Sequence, residues 1–162
     1  MPIPVIAQAP AAPALPPHLK ALAARGYRRI PLTLLSTGHL EVMGAVGGKP
    51  VRVLLDTGAA STVADREWAT SAGFTLRPLG IKGAGAGSVA LDLALVEGAE
   101  LSIGGIRLFR IPVLAIDLRE VRAALRQQGV EPPDLVLGGD VLKAWSAVID
   151  YPTATLWLAP QR

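Results

Sequence analysis

The sequence contains no cysteine, so a disulfide, a thiol nucleophile and a thiolate metal site are all excluded. It has only two histidines, His18 and His39, and no His-Glu-x-x-His run, which leaves zinc-hydrolase chemistry without ligands. Aromatic residues make up 4% of the chain against 51% hydrophobic residues overall. The core must therefore be Leu, Val, Ile and Ala. Charge of one sign is scarce too. The 16 Lys+Arg exceed the 13 Asp+Glu by a net +3, too thin a surplus to argue for a nucleic-acid partner. No uninterrupted apolar run approaches the roughly 18–20 residues of a membrane span.

Glycine (17) and proline (14), by contrast, are about a fifth of the 162 residues. That proportion favours many turns and short strands over long helices. The length fits one domain large enough to bury a core.

Residues 1–17 are almost entirely Pro, Ala and small aliphatics and read as an extended tail. Ala7-Gln8-Ala9 resembles the small-x-small end of a secretory signal, but a basic n-region is missing and the apolar stretch is short. A periplasmic or envelope location is one expectation; the absence of cysteine leaves the cytoplasm equally open. Residues 18–38 form an extension, with a short helix over His18–Tyr27 stopped at Gly26 and a strand over Arg28–Leu35. Arg28 and Arg29 read as a solvated edge.

From residue 39 to residue 160 the pattern is strand-like. Leu40, Val42 and Val46 alternate up to Gly47-Gly48, and Val51–Leu55 returns, which predicts a hairpin. Leu101–Ile103, Gly104-Gly105 and Ile106–Ile116 repeat the arrangement, each unit running on to an aspartate, Asp56 or Asp117. Short helices are expected at Asp65–Ala72, capped by Asp65, at Leu118–Gln128, with Asp117 as candidate cap, and at Asp140–Trp145. Val148–Leu158 reads as strand interrupted by a turn at Asp150-Tyr151-Pro152.

The most informative segment is Val53-Leu-Leu-Asp56-Thr57-Gly58-Ala59-Ala60-Ser61-Thr62. A carboxyl directly after an apolar strand is costly unless it is paired or functional. Gly58 permits a sharp turn and close backbone approach. Thr57 offers a hydroxyl to lock the loop, and Ser61 can bond back to it. About 80 residues on comes a second apolar strand ending at glycine, Leu135-Val136-Leu137-Gly138, followed by a helix start.

Taken together, these two segments resemble the retropepsin-like aspartic proteases. The likeness runs from about Leu40 to Leu158 and includes Ile149-Asp-Tyr and Thr155–Leu158 as closing strands like those of bacterial members. It implies a mainly β, single-lobed acid-protease barrel with short helices, and the chemistry of an aspartic endopeptidase acting on a polypeptide substrate. The Asp56-Thr57-Gly58 loop would be the catalytic element, with Ala59, Ser61, Leu137 and Gly138 supporting it. Only one such tripeptide occurs among the seven aspartates, while the family's chemistry uses two facing carboxylates. The active unit implied is a homodimer with Asp56 from each chain at the twofold axis, Thr57 bonding across to the partner loop. No cofactor and no metal are expected.

Gly80, Gly83, Gly85 and Gly87 fall within one short stretch. A dinucleotide loop fails there, because strand-like residues follow rather than a helix, and a phosphate loop fails for want of Gly-Lys-Ser/Thr. The resemblance makes Gly83, Ala84, Gly85, Ala86 and Gly87 a flap over substrate; a plain turn is the alternative. Asp140 is read as a helix N-cap rather than a second catalytic carboxylate, and Asp117, Asp134 and Asp150 as solvated. Trp68, Trp145 and Trp157 are read as core or interface anchors, and Arg119, Arg122 and Arg126 as the wet side of a helix. Neither histidine is patterned with a serine, which disfavours a serine hydrolase. The rival to the peptidase is a noncatalytic peptide-binding module on the same fold.

Overall fold

The computed structural model describes residues 14–84 and 90–161. Helix α1 (Pro17–Ala24) precedes strands β1 (Arg28–Pro31) and β2 (Thr33–Leu34). The hairpin β3 (Leu40–Val46) and β4 (Lys49–Leu55) leads to β5 (Val63–Asp65) and helix α2 (Arg66–Ser71). A longer pair follows, β6 (Leu76–Ala84) and β7 (Ala90–Val96), then the hairpin β8 (Leu101–Ile103) and β9 (Ile106–Leu108). Strand β10 (Leu114–Ile116) enters helix α3 (Arg119–Gln127), β11 (Leu135–Leu137) enters helix α4 (Gly139–Ala144), and β12 (Val148–Asp150) and β13 (Thr155–Leu158) complete the chain. The protein is mainly β with short helices, as its glycine and proline content requires.

The larger sheet has the order β6-β7-β10-β5-β11-β4-β3-β8-β9, with β2 beside β3. This path stays open, so the expected barrel does not close. Its two end strands are poor partners. β6 shifts register between Pro78 and Lys82, where Pro78 lacks an N–H and Gly80 sits at φ +68°, and β9 is only three residues long. Bulged and short strands are the usual form of a sheet edge. In the middle, β4 lies parallel to β11 and β5 parallel to β10, while β5 and β11 meet antiparallel. All three residues of β11 are buried, which explains its unbroken apolar run. A smaller sheet, β1-β13-β12, holds the chain's end.

The core is aliphatic apart from Trp145 and Trp157, both buried. Trp68 packs on Phe74 with ring centroids 5.8 Å apart.

Three expectations need correction. The strand over Arg28–Leu35 is two strands: β1 pairs with β13 and β2 with β3, and Leu32 between them donates its N–H to Ala154 O, carrying the chain from one sheet to the other. Ile106–Ile116 is likewise broken, after Leu108, at a turn where Arg110 has φ +58°. In α3 the N-cap position is Leu118, and Asp117 sits one residue outside, its Oδ1 accepting from Arg119 N.

A fourth correction concerns charge. Arg122 is not on the wet side of α3. Its side chain is 17% exposed and donates to Pro133 O and Asp134 Oδ1, with Asp65 at 3.8 Å. Asp134 is no solvated turn residue either, since its Oδ2 accepts from Arg52 N. Asp65 caps α2 as expected, accepting from Trp68 N through Oδ2, and also takes Leu118 N on Oδ1. One buried carboxyl thus ties the starts of α2 and α3 together. Asp65→Ala removes the cap, leaves Leu118 N without its acceptor and takes a carboxyl from Arg122. It should cost about 2–4 kcal/mol, read from urea unfolding midpoints.

Asp150 is partly buried as well. It accepts from the Thr153 hydroxyl and amide and from His18 Nε2 at 3.0 Å, joining α1 to the β12–β13 turn. The Thr153 hydroxyl above all, then His18, holds the Asp150 carboxyl below its ordinary value of 3.8. A carboxyl lowered in the fold contributes stability that is complete above the ordinary value and disappears as pH falls through the lowered one. Between pH 5 and pH 2 the unfolding midpoint should therefore drop more steeply for the wild type than for Asp150→Asn.

Candidate active site

Strand β4 buries Val53, Leu54 and Leu55, and the very next residue, Asp56, is exposed. The burial ends where the carboxyl begins, so the chain avoids the penalty of an unpaired charge in the core. Asp56, Thr57 and Gly58 form an exposed turn. Gly58 N donates to Asp56 Oδ1 at 2.8 Å. A Cβ at Gly58 would come within 3.2 Å of that same oxygen, so glycine gives the carboxylate its closest main-chain donor. Ala59 N closes the turn on Asp56 O at 3.2 Å.

The loop rests on the second glycine element. The parallel register sets Leu137 beside Leu55, and Leu137 O accepts from Asp56 N at 3.1 Å. Gly139 N donates to Ala59 O at 2.7 Å and Asp140 N to Ala60 O at 3.2 Å. Gly138 lies so close beneath the loop that a Cβ there would stand 2.5 Å from Ser61 O. Main-chain groups thus make most of the contact, and side chains at this seam are excluded by space.

Of the residues expected here, Asp56, Thr57, Gly58, Ala59, Leu137 and Gly138 come together. Ser61 contributes differently from expectation. Among the described residues no hydrogen bond joins its hydroxyl to Asp56; its carbonyl is what lies against Gly138. The residue that sequence reasoning missed is the next one. Thr62 is 0% exposed, its hydroxyl donating to Asp140 Oδ1 at 2.7 Å and accepting from Gly138 N at 3.1 Å. A threonine on the sheet side of an Asp-loop is the available sequence signal, but nothing in a linear pattern shows its partner. Asp140 is accordingly not an N-cap. That position is Gly138, and Asp140 lies in the first turn of α4, bonded to Thr62.

Gly83 and Ala84 end β6, paired with Leu91 and Ala90; Gly85, Ala86 and Gly87 lie outside the described residues. The outer part of this hairpin is a two-stranded ribbon: β10 pairs with β7 only at Ala94 and Leu95, whereas Ala90, Leu91 and Asp92 are set against β6.

The other six aspartates are engaged elsewhere. Asp65, Asp134, Asp140 and Asp150 have the partners already given, Asp92 pairs with Lys82 at 3.1 Å, and Asp117 with Arg119 at 3.0 Å. A cleft of about 570 Å³ is lined by Arg66, Glu67, Thr70, Ser71, Asp117 and Arg119 and does not reach Asp56. Among the described residues no group of three His, Asp or Glu side chains could hold a metal ion.

Replacing Gly138 with Ala should push the loop off its support. The expected loss is about 1–3 kcal/mol, measured by thermal unfolding.

A family model described as Aspartyl protease matches residues 42–141, which include both the Asp56 loop and the Gly138 element. A search of curated proteins finds no match. Among solved structures, the chain is similar to a retropepsin-like aspartic protease from Rickettsia conorii, with TM-score 0.53 and 18% identity over 82% of this chain and 90% of that one. The retroviral protease-like domain of Ddi1 from Leishmania major aligns with TM-score 0.49 and 20% identity over 74% and 87% of the two chains. EIAV protease in complex with an inhibitor aligns with TM-score 0.48 and 19% identity over 73% and 98%. The fold is retropepsin-like, and the chain belongs to the aspartyl protease family.

Proposed function

We propose that this protein is an aspartic endopeptidase that hydrolyses peptide bonds at the interface of a homodimer, with one Asp56 from each chain. The observation that carries the reading is the exposed Asp56, braced by Gly58 and Leu137, in a chain whose other six aspartates each have a side-chain partner elsewhere, those of Asp92 and Asp117 at the surface. One carboxylate cannot act as base and acid at once. A twofold axis through the loop supplies the second from an identical chain.

Two carboxyls about 3 Å apart do not both ionise readily, so the pair holds one proton, which is the known behaviour of aspartic proteases. The ionised member takes a proton from a water held between them as the water oxygen attacks the peptide carbonyl carbon. The protonated member gives its proton to the carbonyl oxygen, forming a tetrahedral diol. On collapse, the carboxyl that gained a proton delivers it to the leaving nitrogen, the C–N bond breaks, and a diol hydroxyl returns its proton to the other carboxylate. The pair ends as it began, with one proton. That proton belongs to the pair rather than to either residue.

In this reading Thr57 bonds to the partner loop and the β6–β7 ribbon serves as a flap. Residues 83–87 would bond substrate main chain through their N–H groups. Support comes from the ribbon's single pairing beyond Leu93, since two strands alone are only marginally stable and open easily.

The test is a peptide library assayed at pH 4–7 with the full chain and with Asp56→Asn. Cleavage is expected on the acid side of neutrality, falling as both carboxyls ionise. Asp56→Asn should lower kcat/KM by roughly a thousandfold or more. Sedimentation over a concentration series should show activity following the dimer. Hydrolysis by a stable monomer, or a rate maximum well above neutrality, would refute the shared site. Peptide binding without cleavage would establish the binding module instead.

A further inference from the structure

We infer that Thr62 and Asp140 form one positioning unit that fixes the orientation of the Asp56 loop, a role that rests on the peptidase reading above. A threonine hydroxyl has one proton to give and lone pairs to receive. Here both are used: the proton goes to Asp140 Oδ1, and Gly138 N donates to the oxygen. Thr62 N also donates to Asp140 Oδ2 at 2.8 Å, and Val141 N to Asp140 Oδ1 at 2.8 Å. The Asp140 carboxyl therefore receives three donors whose directions are all set. Two side chains join the far end of the loop, the glycine beneath it and the first turn of α4.

The near end of the loop is held by Asp56 N on Leu137 O. With both ends fastened, the main chain between Asp56 and Thr62 has little freedom to rotate the catalytic carboxyl. That matters for rate rather than binding, because misplacing a reacting group by about 1 Å can cost a hundredfold. The chemistry of each residue is specific. Valine at 62 keeps the shape but leaves Gly138 N buried without an acceptor. Asparagine at 140 keeps the size but turns an amino group toward a donor, either Thr62 N or Val141 N. Serine at 62 keeps the hydroxyl.

The experiment uses the full chain, a library peptide that the wild type cleaves, and hydrogen exchange of amides 56–62. Thr62→Val and Asp140→Asn should each lower kcat about tenfold or more with KM within about threefold, and should speed exchange in this loop while β3 stays protected. The double variant should be no worse than the weaker single variant, and Thr62→Ser should recover most of the lost kcat. Folded variants with wild-type kcat and exchange would overturn the proposal, as would losses that simply add. If Thr62→Val does not fold, Asp140→Asn and Thr62→Ser decide by the same two readouts. A wild type that cleaves no peptide defeats the peptidase reading. The exchange data then judge the unit alone, faster loop exchange upholding it and unchanged exchange overturning it.

Discussion

The parallel pairing of β4 with β11 is the contact on which the rest depends. It joins two strands about 80 residues apart in sequence, and its register sets Leu55 beside Leu137. Both strands then leave the sheet at the same end, one into the Asp56 loop and the other into Gly138 and α4. A one-residue slip would turn one strand's side chains to the opposite face and separate loop from support. The register is secured by burial. Val53, Leu54 and Leu55 on one strand and Leu135, Val136 and Leu137 on the other are all removed from solvent.

The opposite end of the same two strands carries a set of half-buried charges that includes the buried Glu41. Arg52 in β4 pairs with Glu41 at 2.8 Å, Arg52 N meets Asp134 just before β11, and Arg122 reaches Asp134 from α3. Removing one partner from such a set is costly because the others, partly withdrawn from water, lose their match. Fixed charges thus pin the register from one end, and a glycine seam too tight for any side chain pins it from the other. Carboxyls with cationic partners inside the chain lie at this end, and Asp56, whose bond within the chain is to a main-chain N–H, stands at the exposed one.

Much of this was legible in the sequence. The two Gly-Gly hairpins, the Asp65 cap, the strand endings at Asp56 and Gly138 and the buried tryptophans all carry local signals, because glycine and capping residues act within a few positions of themselves. What was not legible depends on partners distant in sequence. Arg122 shares its spacing with Arg119 and Arg126, and only the fold shows that it alone reaches Asp134 and Asp65. Asp140 follows two glycines just as an N-cap would, yet Gly138 holds that position, and its real partner is Thr62, 78 residues earlier. The splitting of Arg28–Leu35 between two sheets is of the same kind: Leu32 looks like any strand residue until Ala154 is placed opposite its N–H.

The open ends of the large sheet follow from the same economy of short elements. A closed barrel would need β6 and β9 to pair, but β9 has three residues and β6 is bulged at Gly80. Closure would remove the ribbon formed by the outer halves of β6 and β7, since a strand paired on both sides cannot lift away from its sheet. Under the proposed peptidase reading, a site that admits an extended polypeptide gains from the opposite arrangement, a rigid floor and a weakly held edge. Here the floor is the doubly buried β4–β11 pair and the edge is a ribbon whose outer residues have one neighbouring strand. Strand pairing is therefore densest beneath the Asp56 loop and thinnest along the outer β6–β7 ribbon, which Arg66 ties to α2 through Asp92 O, and the proposed peptidase reading would use that gradient to keep the loop fixed while the ribbon moves.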